Sequence, residues 1–401
     1  MPLPGAGIRR VAPQNPRMDR TVFLLAVAAA ASGMAMRSIE PILPALAGEF
    51  AVSIPVVANI ITVFAVAYAI GQFIFGLLGD RFGKLRVTTV TLAASSLLFL
   101  GCASSGSLLS LGMWRLAIGL TTSASFVLGM AYIGDTVAFE RRQTVIAQYV
   151  TGNVLGHAFG PMLAGMVADA FGWRGTFVFH GMTYALMACA FFVFTRHRWA
   201  TELRSAGSAN PIVRYAQVWK LPAVRAVALY ALVESFFFFG AFAFVGPMMK
   251  LRFDLPLTLI GVALAGFGLG GLIFNLSIRG FVRRNNPRGQ VLWGGLLCGS
   301  MYIAVAMVPV WQVCALCMLG VGFGFYMLHN ILQTRGTEAA PQARGVGLAV
   351  FGITWTLGQG LGVMVMGAGV STFGFAPMIA AYGVGFALLG LWMRAHYFRL
   401  P

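Results

Sequence analysis

Charge is scarce in this chain. Asp, Glu, Lys and Arg together supply 10% of the 401 residues, only 11 of them acidic, while 59% are hydrophobic and the mean hydropathy is +0.82. A water-soluble surface draws on roughly a quarter charged residues, so a soluble globular domain is excluded and most of the surface must meet lipid. Cysteine is also sparse. Cys102, Cys189, Cys298, Cys314 and Cys317 all fall in apolar stretches. Cys314 and Cys317 form a C-x-x-C with no second pair and no neighbouring acid, which gives little support to a redox or metal site; small residues facing lipid or another helix are the plainer reading. A Walker-type phosphate loop, a nucleophile–base pair and a metal-ligand cluster are likewise missing, which argues against an ATP-driven pump, an enzyme or a bound cofactor. No polar segment exceeds the central loop of about 27 residues at 196–222, too little for the soluble domain of a receptor or sensor.

What is present is a series of apolar runs long enough to cross hydrocarbon, which takes ~20 residues per helix. They lie near 21–46, 54–78, 86–104, 107–135, 144–168 and 174–195, and again near 223–247, 258–279, 290–308, 312–334, 346–370 and 375–395. Barrel strands would be shorter and would alternate apolar with polar. The expectation is an all-α membrane protein with twelve spans. The first run follows Arg9, Arg10, Arg17 and Arg20, but it is long and ends in Pro41 and Pro44 rather than in a small-residue cleavage site. It reads as a retained first helix rather than a secretory signal.

The formal net charge of +17 invites a nucleic-acid reading until the cations are placed. With the N-terminus inside, 23 of the 28 Lys and Arg residues fall on inward segments and three, Arg174, Lys250 and Arg252, on outward ones. That asymmetry is the positive-inside rule. It predicts both termini and the central loop in the cytoplasm, and no nucleic-acid partner. The expected partners are the bilayer and a small molecule, and the chain is expected to act as a monomer.

The polar break at 196–222 separates a cytoplasmic tail (1–20) and a six-helix bundle (21–195) from a second bundle (223–395) and a tail (396–401). The halves resemble each other. Gly156 and Gly160 recur as Gly358 and Gly362 at an offset of 202, and Arg141 and Pro44 recur as Arg344 and Pro247 at 203. The pattern indicates duplication.

Between the second and third spans the sequence runs Gly76-x-x-x-Asp80-Arg81-x-Gly83-Lys84-x-Arg86. This resembles the loop signature of the major facilitator superfamily, and the resemblance covers essentially the whole chain. It implies a transporter of two six-helix pseudo-repeats whose substrate binds between the halves near mid-membrane, with rocking of the halves giving alternating access. It also implies that the loop latches the halves, with Asp80 meeting the start of the eleventh helix as an anion at a helix N-terminus, and Lys84 pairing with Asp135. The plainer alternative is a basic loop that only sets topology. The fifth span carries Gly152, Gly156, Gly160, Pro161 and Gly165, similar to the family's antiporter motif G-x-x-x-G-P-x-x-G-G with Ala164 in place of a glycine. The family associates that motif with export, although glycine stripes also serve ordinary close packing.

Charges inside membrane spans are candidates for function by default. Arg37 and Arg115 are the two cations there; the alternative for Arg115 is a structural bond to backbone carbonyls. Among the acids only Glu234 and Glu40 lie well within apolar runs. Burial disfavours the charged form of a carboxyl, the property required of a group that loads and releases a proton. Glu234, near mid-span, is the first candidate for proton coupling. Glu40 is the second, because it sits one turn from Arg37 and can form an internal ion pair. Asn153, His157, Phe238, His329, Gln333, Trp355 and Gln359 complete the candidate cavity, with His157 equally readable as a packed residue and the phenylalanines of the seventh span as lipid-facing. The expected function is proton-coupled export of small hydrophobic or amphipathic molecules across a bacterial cytoplasmic membrane, driven by the proton gradient. Import of a small organic anion held by Arg37 and Arg115 is the alternative.

Overall fold

The computed structural model describes residues 20–200, 202, 211–284 and 286–396. The N-terminal tail, nine residues of the central loop (201 and 203–210), Asn285 and the last five residues lie outside the described residues. Among those described there is no strand. The helices are α1 (Arg20–Arg37), α2 (Leu43–Glu49), α3 (Ile54–Phe82), α4 (Lys84–Ala103), α5 (Leu108–Thr136), α6 (Phe139–Thr195), α7 (Pro211–Trp219), α8 (Pro222–Phe253), α9 (Leu257–Arg284), α10 (Pro287–Met307), α11 (Trp311–Glu338), α12 (Arg344–Phe373) and α13 (Phe375–His396). Helices are the open-ended elements that satisfy their own backbone groups in lipid. Their ends follow local chemistry. Gly83 (φ 94°) separates α3 from α4, Ser107 and Ser110 form a capping box on α5, and the Asn286 side chain accepts from Gly289 N to cap α10.

Two departures from the expected spans have simple causes. The first span is not one helix: it breaks after Arg37 into a 3-10 turn, Glu40–Ile42, and resumes as α2. Pro41 and Pro44 have no N–H to return to the carbonyls of Arg37 and Glu40, so the ladder stops there. Conversely, α6 runs through both the fifth and sixth spans. Only Gly172 (φ 72°, ψ 171°) is non-helical within it, and it turns the chain from one leg to the next.

The duplication shows in the helix starts. Helices α3, α4 and α5 begin at Ile54, Lys84 and Leu108, and α9, α10 and α11 begin 203 positions later at Leu257, Pro287 and Trp311. Packing repeats too. Helix α1 lies on the first leg of α6, α3 on α5 and α4 on the second leg of α6, just as α8 lies on α12, α9 on α11 and α10 on α13. Gly156 sits against the Ala30 carbonyl and Gly358 against that of Leu232, so in both halves a side-chain-free position brings two backbones into contact. The halves meet along two seams, α6 with α9 and α3 with α12. The end of the bundle that holds Gly83 and α7 is called the linker end below, and the opposite one the far end.

Candidate functional site

The break in the first span places Arg37 at the last position of α1, where a cation faces the negative end of the helix dipole. Its guanidinium is 1% exposed and reaches three other helical elements. Nη1 donates to Glu40 Oε1 (3.0 Å), Nε to His157 Nδ1 on α6 (3.1 Å) and Nη2 to Gln359 Oε1 on α12 (2.8 Å). The ring of Phe239 on α8 lies 3.8 Å from the guanidinium carbon, a cation–π contact. Arg37 thus ties both halves together at one point. His157 acts as an acceptor through Nδ1, a role that an imidazolium cannot fill. Pro161 lacks the N–H that would bond the His157 carbonyl, which loosens the helix at this residue.

A second cluster lies wholly within the second half. Glu234 on α8 is fully buried, with Oε1 and Oε2 at 3.1 and 2.9 Å from His329 Nδ1 on α11. Trp355 Nε1 on α12 donates to Oε2 at 3.2 Å. Among the described residues no Lys or Arg bonds this carboxyl. The His329 side chain is 11% exposed and Glu234 0%, so the imidazole is the more accessible member of the pair. Phe325 stacks on His329 (4.9 Å), and Phe239 stands edge-on to Trp355 (4.9 Å) while its face meets Arg37, joining the two clusters. Phe238, Phe239, Phe242 and Phe244 are all buried. The aromatic stripe of the seventh span therefore faces protein, which corrects the lipid-facing alternative for these four.

Arg115 on α5 is completely buried and joins neither cluster. It lies over Phe64 (4.2 Å) with a long contact to the Ala35 carbonyl (3.5 Å), and among the described residues its Nε and Nη2 have no hydrogen-bond partner. Asn153 is spent on the Ala29 carbonyl (2.9 Å), and Gln333 sits half-buried one turn beyond His329 toward the linker end.

At the linker end Lys84 meets Asp135 (2.7 Å) and Asp80 (3.1 Å), so the anticipated pair is present. Asp80 spends its carboxylate on Lys84, and among the described residues it makes no bond to the start of α12. Arg81 is exposed over Phe82, and Gly76 has open space around it. The anion at a helix N-terminus is instead Glu202, which accepts from the Lys84 and Leu85 amides of α4 (2.6 and 3.2 Å). Burial pushes its carboxyl up from the usual range, against these two amides, which hold it down. Sequence reasoning passed over Glu202. The available signal was its isolation, as the one acid between Asp169 and Glu234 in a basic stretch. At the far end Asp169 likewise accepts from Leu257 N (3.1 Å) and Thr258 N (2.7 Å), capping α9 across the halves. Of the fifth-span glycines, Gly152, Gly156 and Gly160 rest on α1, and Gly165 on Leu257 of the other half.

A bundle of apolar helices in two repeats, with charges and aromatic rings buried where the repeats meet, defines a multi-pass membrane transporter. The chain belongs to the Major Facilitator Superfamily, whose family profile it matches over residues 25–363. It is 24% identical over 389 residues to the "Inner membrane transport protein YdhP" of Escherichia coli K12, covering 93% of this chain and 95% of that one. It is 23% identical over 355 residues to a "Probable sugar efflux transporter" of Pasteurella multocida, covering 86% and 84%. Among solved structures it superposes on a bacterial homologue of the human lysosomal transporter Spinster in an inward-facing, unoccupied conformation, with a TM-score of 0.77, 17% identity and coverage of 94% and 96%. A D-xylose–proton symporter gives 0.74 at 15% identity, covering 93% and 96%. At these identities the structural likeness speaks for the fold. The chain is a secondary transporter and not an enzyme.

Proposed function

We propose that this transporter is a proton-driven exporter of small hydrophobic or amphipathic molecules, seated in a bacterial cytoplasmic membrane with its linker end and both termini on the cytoplasmic side. The observation that carries the reading is the Glu234–His329–Trp355 cluster. A carboxyl and an imidazole in contact, with no fixed cation, change their net charge by one when a proton arrives, and either partner can hold the hydrogen of the shared bond. Glu40 differs in that its carboxyl is already paired with the fixed cation of Arg37 at 3.0 Å. Neutralising the Glu234 cluster removes the desolvation cost of moving it through a closed, dry bundle, which is how proton loading favours one orientation of the halves over the other. The fifth-span glycine–proline motif and the efflux designation of one relative support export.

The test is proton movement in proteoliposomes challenged with a panel of lipophilic compounds and small carboxylates. Lipophilic compounds are expected to drive proton flux, and Glu234→Gln to abolish it while Glu40→Gln leaves a residue of it. A signal confined to carboxylates and lost in Arg115→Ala would overturn the proposal. It would favour organic-anion transport, the reading that the two unpartnered donors of Arg115 support.

A further inference from the structure

Of the two cations buried within the first half, Arg37 is supplied with partners and Arg115 is not. Arg115 lies seven residues, ~10 Å, into α5 from the far end. Its contacts are the face of Phe64 and the long reach to the Ala35 carbonyl. Among the described residues it makes no ion pair, and Glu40, the acid of the first span, already faces Arg37. Two guanidiniums thus share one carboxylate, and one unit of positive charge is left over inside the half. A guanidinium cannot shed its proton, and a buried charge is costly until a counter-charge meets it.

Unused donors gather in the same place. Besides Arg115 Nε and Nη2, the buried polar atoms without a hydrogen-bond partner among the described residues include the Tyr184 hydroxyl and His180 Nδ1. Both residues belong to the second leg of α6, four positions apart on one face. Both rings pack on Phe99 of α4, with centroids 5.2 Å away for His180 and 5.1 Å for Tyr184. The charge of Arg115 is felt at both, and at Cys102, one turn beyond Phe99. Arg115, Tyr184 and Cys102 are 0% exposed and His180 1%. Each of these side chains can donate: the guanidinium and the hydroxyl directly, the thiol weakly, and a neutral imidazole from whichever nitrogen carries its proton. The group shares a need for an acceptor, and the half around it for a negative charge.

We propose that the first half binds one small monovalent anion, a chloride-sized halide, between α4, α5 and the second leg of α6. Its ligands are Arg115 Nε and Nη2, the Tyr184 hydroxyl and the His180 imidazole. A single ion answers both needs, because it accepts from several donors at once and cancels the leftover charge. A buried water brings no charge and requires acceptors for its own hydrogens. The ion is resident and not cargo: its ligands all belong to one half and are 0–1% exposed. The site goes beyond the export reading and does not rest on it.

The probes are chloride and bromide, exchanged for gluconate at constant ionic strength and pH, with the intact purified protein in detergent. Thermal unfolding is followed by tryptophan fluorescence, and bound radioactive chloride is counted after equilibrium dialysis. The expected result is one saturable site per chain and a melting temperature that rises with halide and then levels off. Arg115→Gln is expected to abolish both the binding and the halide dependence. Tyr184→Phe keeps the ring and removes one donor, so it is expected to raise the half-saturating halide concentration several-fold; it carries the test should Arg115→Gln fail to fold. Equal melting temperatures in halide and gluconate, a rise that never saturates, or an unchanged half-saturation in Tyr184→Phe would overturn the proposal. No gradient or flux enters the measurement, so its outcome is independent of the Glu234→Gln test.

Discussion

Glu40 and Glu234 are both completely buried in the bundle, yet one lies 3.0 Å from a guanidinium and the other 2.9 Å from an imidazole. A guanidinium keeps its charge at any pH a cell experiences, so Glu40 faces a fixed cation across its ion pair. The Glu234–His329 pair has no such fixed member. On the proposed reading the same residue type serves as a strut in the first half and as a variable charge in the second, and what separates the two is the partner and not the depth. The duplicated halves have therefore diverged in chemistry while keeping their helix starts 203 positions apart.

The largest expected effect tests the variable charge. Glu234→Gln is expected to reduce substrate-driven proton flux to background while the protein still extracts and elutes as a folded species; retained coupling would make the two acids equivalent and dissolve the contrast. Next is the strut. Arg37→Met leaves Glu40 buried without its cation and is expected to lower stability in thermal unfolding by ~3–5 kcal/mol. The double variant Arg37→Met/Glu40→Gln is expected to recover a good part of that loss, and a double variant no better than the single one would refute the pairing. A smaller effect concerns what the halves still share. Gly156→Leu and Gly358→Leu drive a side chain into the Ala30 and Leu232 carbonyls, and each is expected to cost about 1–3 kcal/mol or more, by similar amounts if the duplicated packing is equivalent.

The smallest effect is at the linker end. Burial outweighs the amides in raising the Glu202 carboxyl, so the docked acid takes up a proton more readily than the free one. Docking therefore tightens as pH falls through the raised value and loosens toward neutral. Hydrogen exchange at the Lys84 and Leu85 amides, corrected for intrinsic rates, is expected to slow by a few-fold on acidification. In Glu202→Gln it should be indifferent to pH, and the opposite trend in the native protein would contradict the burial argument.

Much of this was legible in the sequence, and the reason is local. Apolar runs of span length, the positions of Gly156 and Gly358, the i,i+3 relation of Arg37 and Glu40, and the Gly76–Arg86 loop signature all depend on short stretches of chain, and the Lys84–Asp135 pair came only through the resemblance that this signature carries. What was hidden depends on register between distant helices. Nothing near Gln359 announces that it meets Arg37 across 322 positions, and nothing near His329 announces Glu234. The phenylalanines of α8 were ambiguous because a ring bound for lipid and a ring bound for the protein interior look alike in a membrane helix. Pro41 and Pro44 marked the break in the first span, but they were read as its end and not as a hinge beside the cation.

Glu202 also sets a mechanical limit. It is fastened to the N-terminus of α4 in the first half, and α7, nine residues on, is fastened through Val218 to α8 and α12 in the second. A chain extends by at most about 3.3–3.6 Å per residue, so the leash between these anchors spans no more than roughly 30 Å. If the halves rock against each other, either the linker end opens within that length or one anchor lets go. Of the two, the Glu202 anchor is held by a few hydrogen bonds to a carboxylate and α7 by a packed apolar face, so the carboxylate is the one built to release.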